Sequence, residues 1–225
     1  MTRMSTDLGT ELAALLLSLA MLGAYRGWMA ARLRTDPLFT IQAYHQHVRR
    51  RWARLILADP SQAILGVQTL RNSTMGATFL ASTVLLLLGG ALSLVGRPDA
   101  LGSLWPGIEL EASRHPLVWS AKVLILVGDL FVAVFAFVMA IRLYTHLGYQ
   151  VSVRPEDDPQ GASVERVVAM LDRAGALFSL GLRACYLAMP VVLWLFGPLP
   201  LVLATAVLVA VMARLDRSDP GGVVG

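Results

Sequence analysis

Long apolar runs alternate with arginine-rich stretches along the chain. Three apolar runs stand clearly apart, over residues 8–28, 72–96 and 117–141. A fourth apolar region, from Ala174 to Ala213, contains a single charge, Arg183. A helix that crosses the hydrocarbon core of a bilayer needs about 20 mostly apolar residues. Each of the first three runs therefore predicts one spanning helix.

The fourth region is too long for one span. At 1.5 Å per residue it would reach about 60 Å, roughly twice the hydrocarbon thickness. The segment Gly197-Pro198-Leu199-Pro200 interrupts it, and two prolines so close together favour a turn. The sequence predicts a hairpin of helices over 174–196 and 199–213. The alternative is one kinked helix and four spans, so the fold class is an all-α membrane bundle of four or five helices.

An amphipathic helix is predicted over residues 37–58, between the first and second spans. Asp36 fits an N-cap and Pro37 a first helical residue. Apolar side chains then recur with helical spacing. They are Ile41, Tyr44, Val48, Trp52 and Leu55.

Basic residues flank that apolar stripe, which suggests a helix lying on an anionic membrane surface. The residues expected at that surface are Arg49, Arg50, Arg51, Trp52 and Arg54. The alternative is a solvated helix packed on its neighbours. We expect helices from Ser61 and from Val164 to continue into the second and fourth spans. Between the third and fourth spans, residues 154–162 form a polar, proline-bounded stretch that predicts a mobile loop.

Composition excludes an ordinary soluble enzyme and a disordered chain. Of 225 residues, 56% are hydrophobic and only 15% are charged, against about a quarter charged in typical soluble domains. Cys185 is the only cysteine, so the chain has neither an intramolecular disulfide nor a cysteine-based metal site. A lone thiol within an apolar run is typical of a buried side chain.

The arginines predict which side of the membrane each loop occupies. With five spans, 14 arginines fall on one side and three on the other. The positive-inside rule then places the N-terminus outside and the C-terminus inside. Because the basic residues follow this pattern, the net charge of +4 does not indicate nucleic-acid binding.

Apart from Arg26 near the inner end of the first span, four charged residues lie within the predicted spans. Asp129 and Arg183 lie near the middle of the third and fourth spans, and Glu11 and Lys122 lie near the outer ends of theirs. Charges at such depth are costly and are functional candidates. We expect Asp129 to pair with Arg183 and Glu11 with Lys122. The pairs would either hold helices together or line a polar pathway for ions or protons, and the structural role is favoured.

A polar cluster, Gln68, Arg71 and Asn72, falls where the second span enters the membrane. Arg71 could hold a lipid phosphate there, and the alternative is a capped contact between helices. The same span carries small residues at four-residue spacing, which favour close helix packing within the chain or in an oligomer. They are Ser73, Ala77 and Ala81.

No pattern in the chain indicates catalysis or a bound cofactor. His45 and His47 are two residues apart and face different sides of a helix, so they cannot chelate one metal. His115 and His146 fall at opposite ends of the third span. Phosphate-binding glycine loops, zinc-protease motifs and nucleophile elbows do not occur. We expect no cofactor and no metal, and a non-enzymatic role is favoured.

Several polar motifs resemble the domain of unknown function 599 of bacterial and plant membrane proteins. These are Gln68–Asn72 followed by Phe79–Thr83, then Gly181–Tyr186, Trp194 and Ala204–Ala206. The resemblance covers nearly the whole chain and includes the order of its elements. It implies a multi-spanning membrane protein, here of the bacterial inner membrane, and it implies no activity.

The function expected from these observations is association. The chain would act as a non-catalytic accessory, assembly or scaffold protein, with anionic inner-leaflet lipids and a homo-oligomer or membrane-protein partner. The alternative is a small oligomeric channel or transporter for an ion, proton or lipid that uses Asp129 and Arg183.

Overall fold

Helices make up every regular element that the structure describes. The computed structural model describes residues 2–36, 40–95, 97, 116–153 and 164–216, with side chains from Leu8 onward. The helices are α1 Thr2–Thr35, α2 Ile41–Ala58, α3 Ala63–Ser93, α4 Pro116–Ser152, α5 Val164–Trp194 and α6 Pro198–Leu215. A short 3₁₀ turn, Pro60–Gln62, precedes α3.

Five of these helices are long and apolar enough to cross a membrane, namely α1, α3, α4, α5 and α6. The chain is therefore a multi-pass membrane protein, and the predicted helical membrane bundle is confirmed. Three of the five contain 31, 37 and 31 residues, well beyond the roughly 20 that a span needs. The extra turns of α3, α4 and α5 form helical extensions of the apolar spans.

The last apolar region consists of two helices. Trp194 ends α5, and Pro198 begins α6 after a turn. Gly197, which joins them, has a φ of 136°, a conformation that side chains other than glycine rarely adopt. Trp194 and Leu201 on either side of the turn pack together with Ala14 of α1. The region is thus a hairpin and not one kinked helix.

Two compact units divide the chain. Unit 1 comprises residues 1–41, 87–130 and 185–225. Within it α1 packs along α6. The hydroxyl of Tyr25 donates to the carboxylate of Asp216, and the Asp216 carbonyl accepts from the Ile41 amide at 3.1 Å. The end of α1 and the start of α2 are thereby tied to the end of α6.

Unit 2 comprises residues 42–86 and 131–184, and it has an apolar core of its own. The core brings together α2 and the extensions of α3, α4 and α5. Its most deeply buried members are Ala53, Leu147, Val167 and Ala174. An ion pair between Arg50 of α2 and Asp172 of α5 lies at its edge.

Asp59 caps the connection from α2 to α3. One Asp59 carboxylate oxygen accepts from the Ser61 amide at 2.9 Å and from the Ser61 hydroxyl at 2.8 Å. These hydrogen bonds hold the pKa of Asp59 below its usual value. The short turn then leads directly into α3.

Some boundaries differ from the sequence-based expectation. α2 begins at Ile41, and the backbone amide of Asp36 still bonds to Arg32 of α1, so Asp36 belongs to the end of α1. Pro37 and the predicted mobile loop 154–162 lie outside the described residues. The helix that contains the third span does not end near Ile141, because α4 continues to Ser152.

The close approach of α4 and α5 in unit 2 generates a stability prediction. A Cβ added at Gly181 would lie 2.7–2.9 Å from ring atoms of Phe137, which is fully buried and packs edge-on against Phe178. We expect Gly181→Ala to lower the free energy of unfolding by about 1–3 kcal/mol, as overpacking does. Denaturant titration in detergent measures this change. Gly76→Ala is the control, because nothing lies within 4 Å of its added Cβ. Equal stability of the two variants would contradict the packing.

Candidate functional site

Lys122 is the most deeply buried charge that the structure describes. Its side chain is 5% exposed, and its ammonium group donates to the carboxylate of Glu11. The same group donates to the carbonyl oxygen of Trp194 at 3.2 Å and lies 5.3 Å from the centre of the Trp194 ring. The structure thus brings Glu11 of α1 and Lys122 of α4 together within unit 1.

Trp194 forms hydrogen bonds with both Glu11 and Lys122. Its indole nitrogen donates to the second Glu11 oxygen at 2.6 Å, while its carbonyl accepts from Lys122. Because Trp194 is the last residue of α5, Lys122 places a positive charge at the C-terminal end of that helix, where the helix dipole favours it. Three helices meet at this group of hydrogen-bonded polar atoms. We call Glu11, Lys122 and Trp194 the Lys122 cluster.

Asp129 belongs to unit 1 and Arg183 to unit 2, so their expected pairing stays a prediction. The Arg183 guanidinium donates to the side-chain oxygen of Gln42, in the first turn of α2. Oδ2 of Asp129 is buried and has no hydrogen-bond partner among the described residues. Within unit 2, Arg183 therefore has a hydrogen-bond partner on the polar α2 helix.

Within unit 2, α2 packs on its neighbours mainly through residues beside the predicted stripe, and Trp52 is the stripe residue that contacts the core. Ala53 and Ile56 are buried in the core, and Trp52 packs against it. The stripe residues Tyr44 and Leu55 are 48% and 63% exposed. Packing on neighbouring helices and an open apolar stripe therefore coexist on one helix.

The arginines of α2 have different surroundings. Arg50 bonds to Asp172. The guanidinium of Arg49 lies against Gly175 of α5, so closely that a Cβ there would meet it at 2.8 Å. Arg51 and Arg54 are exposed. Only part of the predicted basic surface is therefore open.

The polar cluster of Gln68, Arg71 and Asn72 lies on the exposed surface of α3. Arg71 lines an open groove of about 750 Å³ between α3 and α4 in unit 2. The small residues that follow are placed differently, since Ala77 and Ala81 are 0% and 8% exposed. That small-residue face packs inside the chain.

The described side chains contain no group of three or more His, Cys, Asp or Glu residues that could hold a metal ion. His45, His47 and His146 are exposed, and His115 lies outside the described residues.

A family profile described as a protein of unknown function, DUF599, matches residues 13–220. The chain belongs to the DUF599 family. A search of curated proteins and a search of solved structures found no match. The matched range covers most of α1 and all of α2–α6, so the Lys122 cluster has two of its three members inside it and Glu11 just before it.

Two partners in this DUF599 protein were not predicted from sequence. Trp194 was seen only as part of a motif, although a tryptophan at the end of a span, just before Gly-Pro, is well placed to accept a cation at a helix C-terminus. Nothing in the sequence marked Gln42 as a partner of Arg183, because a single glutamine in a polar helix is common. Both contacts join residues more than 70 positions apart.

The Lys122 cluster generates a double-mutant prediction. Lys122→Met leaves the Glu11 carboxylate buried without its cation, and we expect it to lower the free energy of unfolding by about 3–5 kcal/mol. Adding Glu11→Gln should recover part of that loss, because the uncompensated charge is gone. Denaturant titration of the single and double variants in detergent gives the coupling energy.

The control for this cycle is Arg97→Met, which removes an exposed cation from unit 1. We expect it to change the unfolding free energy by less than about 0.5 kcal/mol. Strictly additive effects of the two cluster substitutions would show that Glu11 and Lys122 do not interact.

Proposed function

We propose that this chain is a non-catalytic membrane protein that acts by association, as an accessory, assembly or scaffold subunit. Its helices would bind another membrane-protein chain, either a second copy or a different protein. The support comes from the outward surface of α1 and from the way in which the Glu11 and Lys122 charges are satisfied inside the chain.

The α1 helix carries an exposed stripe of small residues. Ala20, Gly23, Ala24, Gly27 and Ala31 recur with the spacing of one helix face, and all five are exposed. Nothing lies within 4 Å of a Cβ added at Gly23 or Gly27. This small-residue stripe of α1 is the observation that carries the proposal.

The opposite face of α1 is the one that packs on its own chain. It includes Glu11 of the Lys122 cluster, the buried Ala14 and Ser18, and Tyr25. Small residues on an outward face let a second helix approach closely, and a Gly-xxx-Gly pair is typical of such contacts in membranes. One face of α1 thus holds the fold together, and the other is open to a partner.

The satisfied Lys122 cluster favours association over transport. Both Glu11 oxygens are occupied, and the Lys122 ammonium has three contacts within the cluster. Charges that are bound to one another and buried hold helices together and do not offer exchangeable sites along a path.

We place the protein in the bacterial inner membrane, with its N-terminus outside and its C-terminus inside. The support is the uneven distribution of arginines across the five helices. In this orientation α2 would lie at the inner surface. Its exposed stripe, which includes Tyr44, Val48 and Leu55, would meet anionic lipid there together with Arg51 and Arg54.

A second candidate function is a small oligomeric channel or transporter for an ion, proton or lipid. One observation favours it: the buried Asp129 oxygen that has no partner among the described residues. A carboxylate in such a position can take up and release a proton. Arg183 would contribute less than expected, because Gln42 already occupies it.

If the chain associates through α1, large side chains on its small-residue stripe should break the complex. We expect Gly23→Leu with Gly27→Leu to lower the complexed fraction at least tenfold, since leucine side chains keep the helices apart. Native mass spectrometry after gentle extraction, at natural expression level, measures this fraction. The matched control is Gly89→Leu with Gly90→Leu, which adds the same bulk to open positions on α3. A monomeric wild type, or a complex that survives both double variants, would contradict association through α1.

The second candidate predicts proton flux through Asp129. Purified protein in liposomes that enclose a pH-sensitive dye would show a proton leak above that of empty liposomes. Asp129→Asn would remove the leak, because the amide cannot carry a proton. Glu165→Gln, an exposed acid at the start of α5, is the control and should leave the leak unchanged. A wild type no leakier than empty liposomes rejects this function.

A further inference from the structure

An open groove in unit 2 lies between the first half of α3 and the last turns of α4. Its volume is about 750 Å³. Leu70 and Tyr144, which are 3% and 7% exposed, are the most buried of its lining residues. Met75 and Phe79 on α3 and Tyr149 on α4 also line it and are 63%, 73% and 70% exposed. The groove is therefore open along one side.

The hydroxyl groups in this groove do not make it polar. Thr74 and Thr78 on α3 each donate to the carbonyl four residues earlier, at 2.9 Å. Thr145 and Ser152 on α4 do the same, also at 2.9 Å. Since their protons are used within the helices, these residues offer methyl and methylene groups to a ligand. Apart from Arg71 and the hydroxyls of Tyr144 and Tyr149, the lining is therefore apolar.

The dimensions of the groove fit one extended hydrocarbon chain. Its α3 wall runs from Val67 to Phe79, about 18 Å at 1.5 Å per residue. One leaflet contributes about 15 Å of hydrocarbon, half of the bilayer core. The groove is thus long enough for one acyl chain of a single leaflet.

Arg71 gives the groove a positive end. It is the last charged residue before the charge-free run that begins at Asn72, so it marks the membrane boundary on α3. Arg71 is exposed and has no hydrogen-bond or ion-pair partner among the described residues. Its guanidinium is free to bind a phosphate, for which its planar donors are well suited.

Tyr149 lies at the same end of the groove. A Cβ added at Gly66 of α3 would meet Val151 of α4 at 2.8 Å, so the last turns of α4 lie beside the first turns of α3. This antiparallel alignment places Tyr149 near Arg71 and leaves Met75 and Phe79 for the other end. An amphipathic tyrosine beside a cation is typical of the membrane interface.

We propose that this groove binds one anionic phospholipid, with an acyl chain along α3 and α4 and its phosphate on Arg71. The lipid is a bound ligand and not part of the general lipid shell, because the site combines an apolar channel of one-chain size with a single unpaired cation. The inference is independent of the proposed association through α1, which uses a different helix.

Native mass spectrometry with added lipid tests this site. Purified, delipidated protein is titrated with phosphatidylglycerol, with phosphatidylethanolamine and with inorganic phosphate. We expect saturable binding of one phosphatidylglycerol, at least tenfold weaker binding of phosphatidylethanolamine, and no binding of inorganic phosphate. Binding of inorganic phosphate alone as tightly as the lipid would overturn the lipid assignment.

Two pairs of variants locate the ligand. Arg71→Gln should weaken phosphatidylglycerol binding at least tenfold, whereas Arg142→Gln, an exposed arginine of α4 outside the groove lining, should not. Thr78→Trp fills the channel and should abolish the bound lipid, whereas Ser82→Trp adds the same bulk to α3 outside the groove lining. Wild-type binding in both Arg71→Gln and Thr78→Trp, or equal losses in the controls, would overturn the proposal. Circular dichroism spectra that match wild type show that each variant is folded.

Discussion

An ammonium group buried among apolar helices needs a counter-charge and hydrogen-bond acceptors, and Lys122 finds both in unit 1. Glu11 supplies the charge from α1, and the carbonyl of Trp194 supplies an acceptor where α5 ends. Because Trp194 also binds the second Glu11 oxygen, no member can leave without stranding another. The position of α1 against α4 and the end of α5 follows from this one requirement.

The turn after Trp194 extends the same constraint to the last helix. Gly197 reverses the chain with a positive φ, and Leu201 of α6 then packs beside Trp194 and Ala14. Tyr25 of α1 holds the far end of α6 through Asp216. Unit 2 is built differently, since its helices meet mainly through an apolar core with one ion pair at its edge. Hydrogen-bonded charged groups hold unit 1 together, and the burial of apolar side chains holds unit 2 together.

Local patterns made the fold predictable, and long-range contacts limited what could be said of the site. Apolar length and two prolines located the spans and the hairpin, because both act within a few residues. The continuation of α4 past Ile141 was missed because the apolar run ends at Arg142, although Leu143, Leu147 and Val151 keep helical spacing into the core. The contact of Arg183 with Gln42 was missed because the charge of a side chain and its position along a span do not fix its partner.

The buried polar groups and the exposed apolar surfaces of this chain have separate roles. The Lys122 cluster has its hydrogen bonds filled, so it explains stability and leaves little for a partner. In the most apolar stretches of α1 and α6 only 11% of the residues are buried inside the chain, so most of the residues there keep exposed surface. Lipid tails are as apolar as leucine, so apolar surface alone does not select a partner in a bilayer. Selectivity must come from shape and isolated charge, which the small-residue stripe of α1 and the Arg71 groove supply. For this member of the DUF599 family, function is therefore to be sought on these outward surfaces.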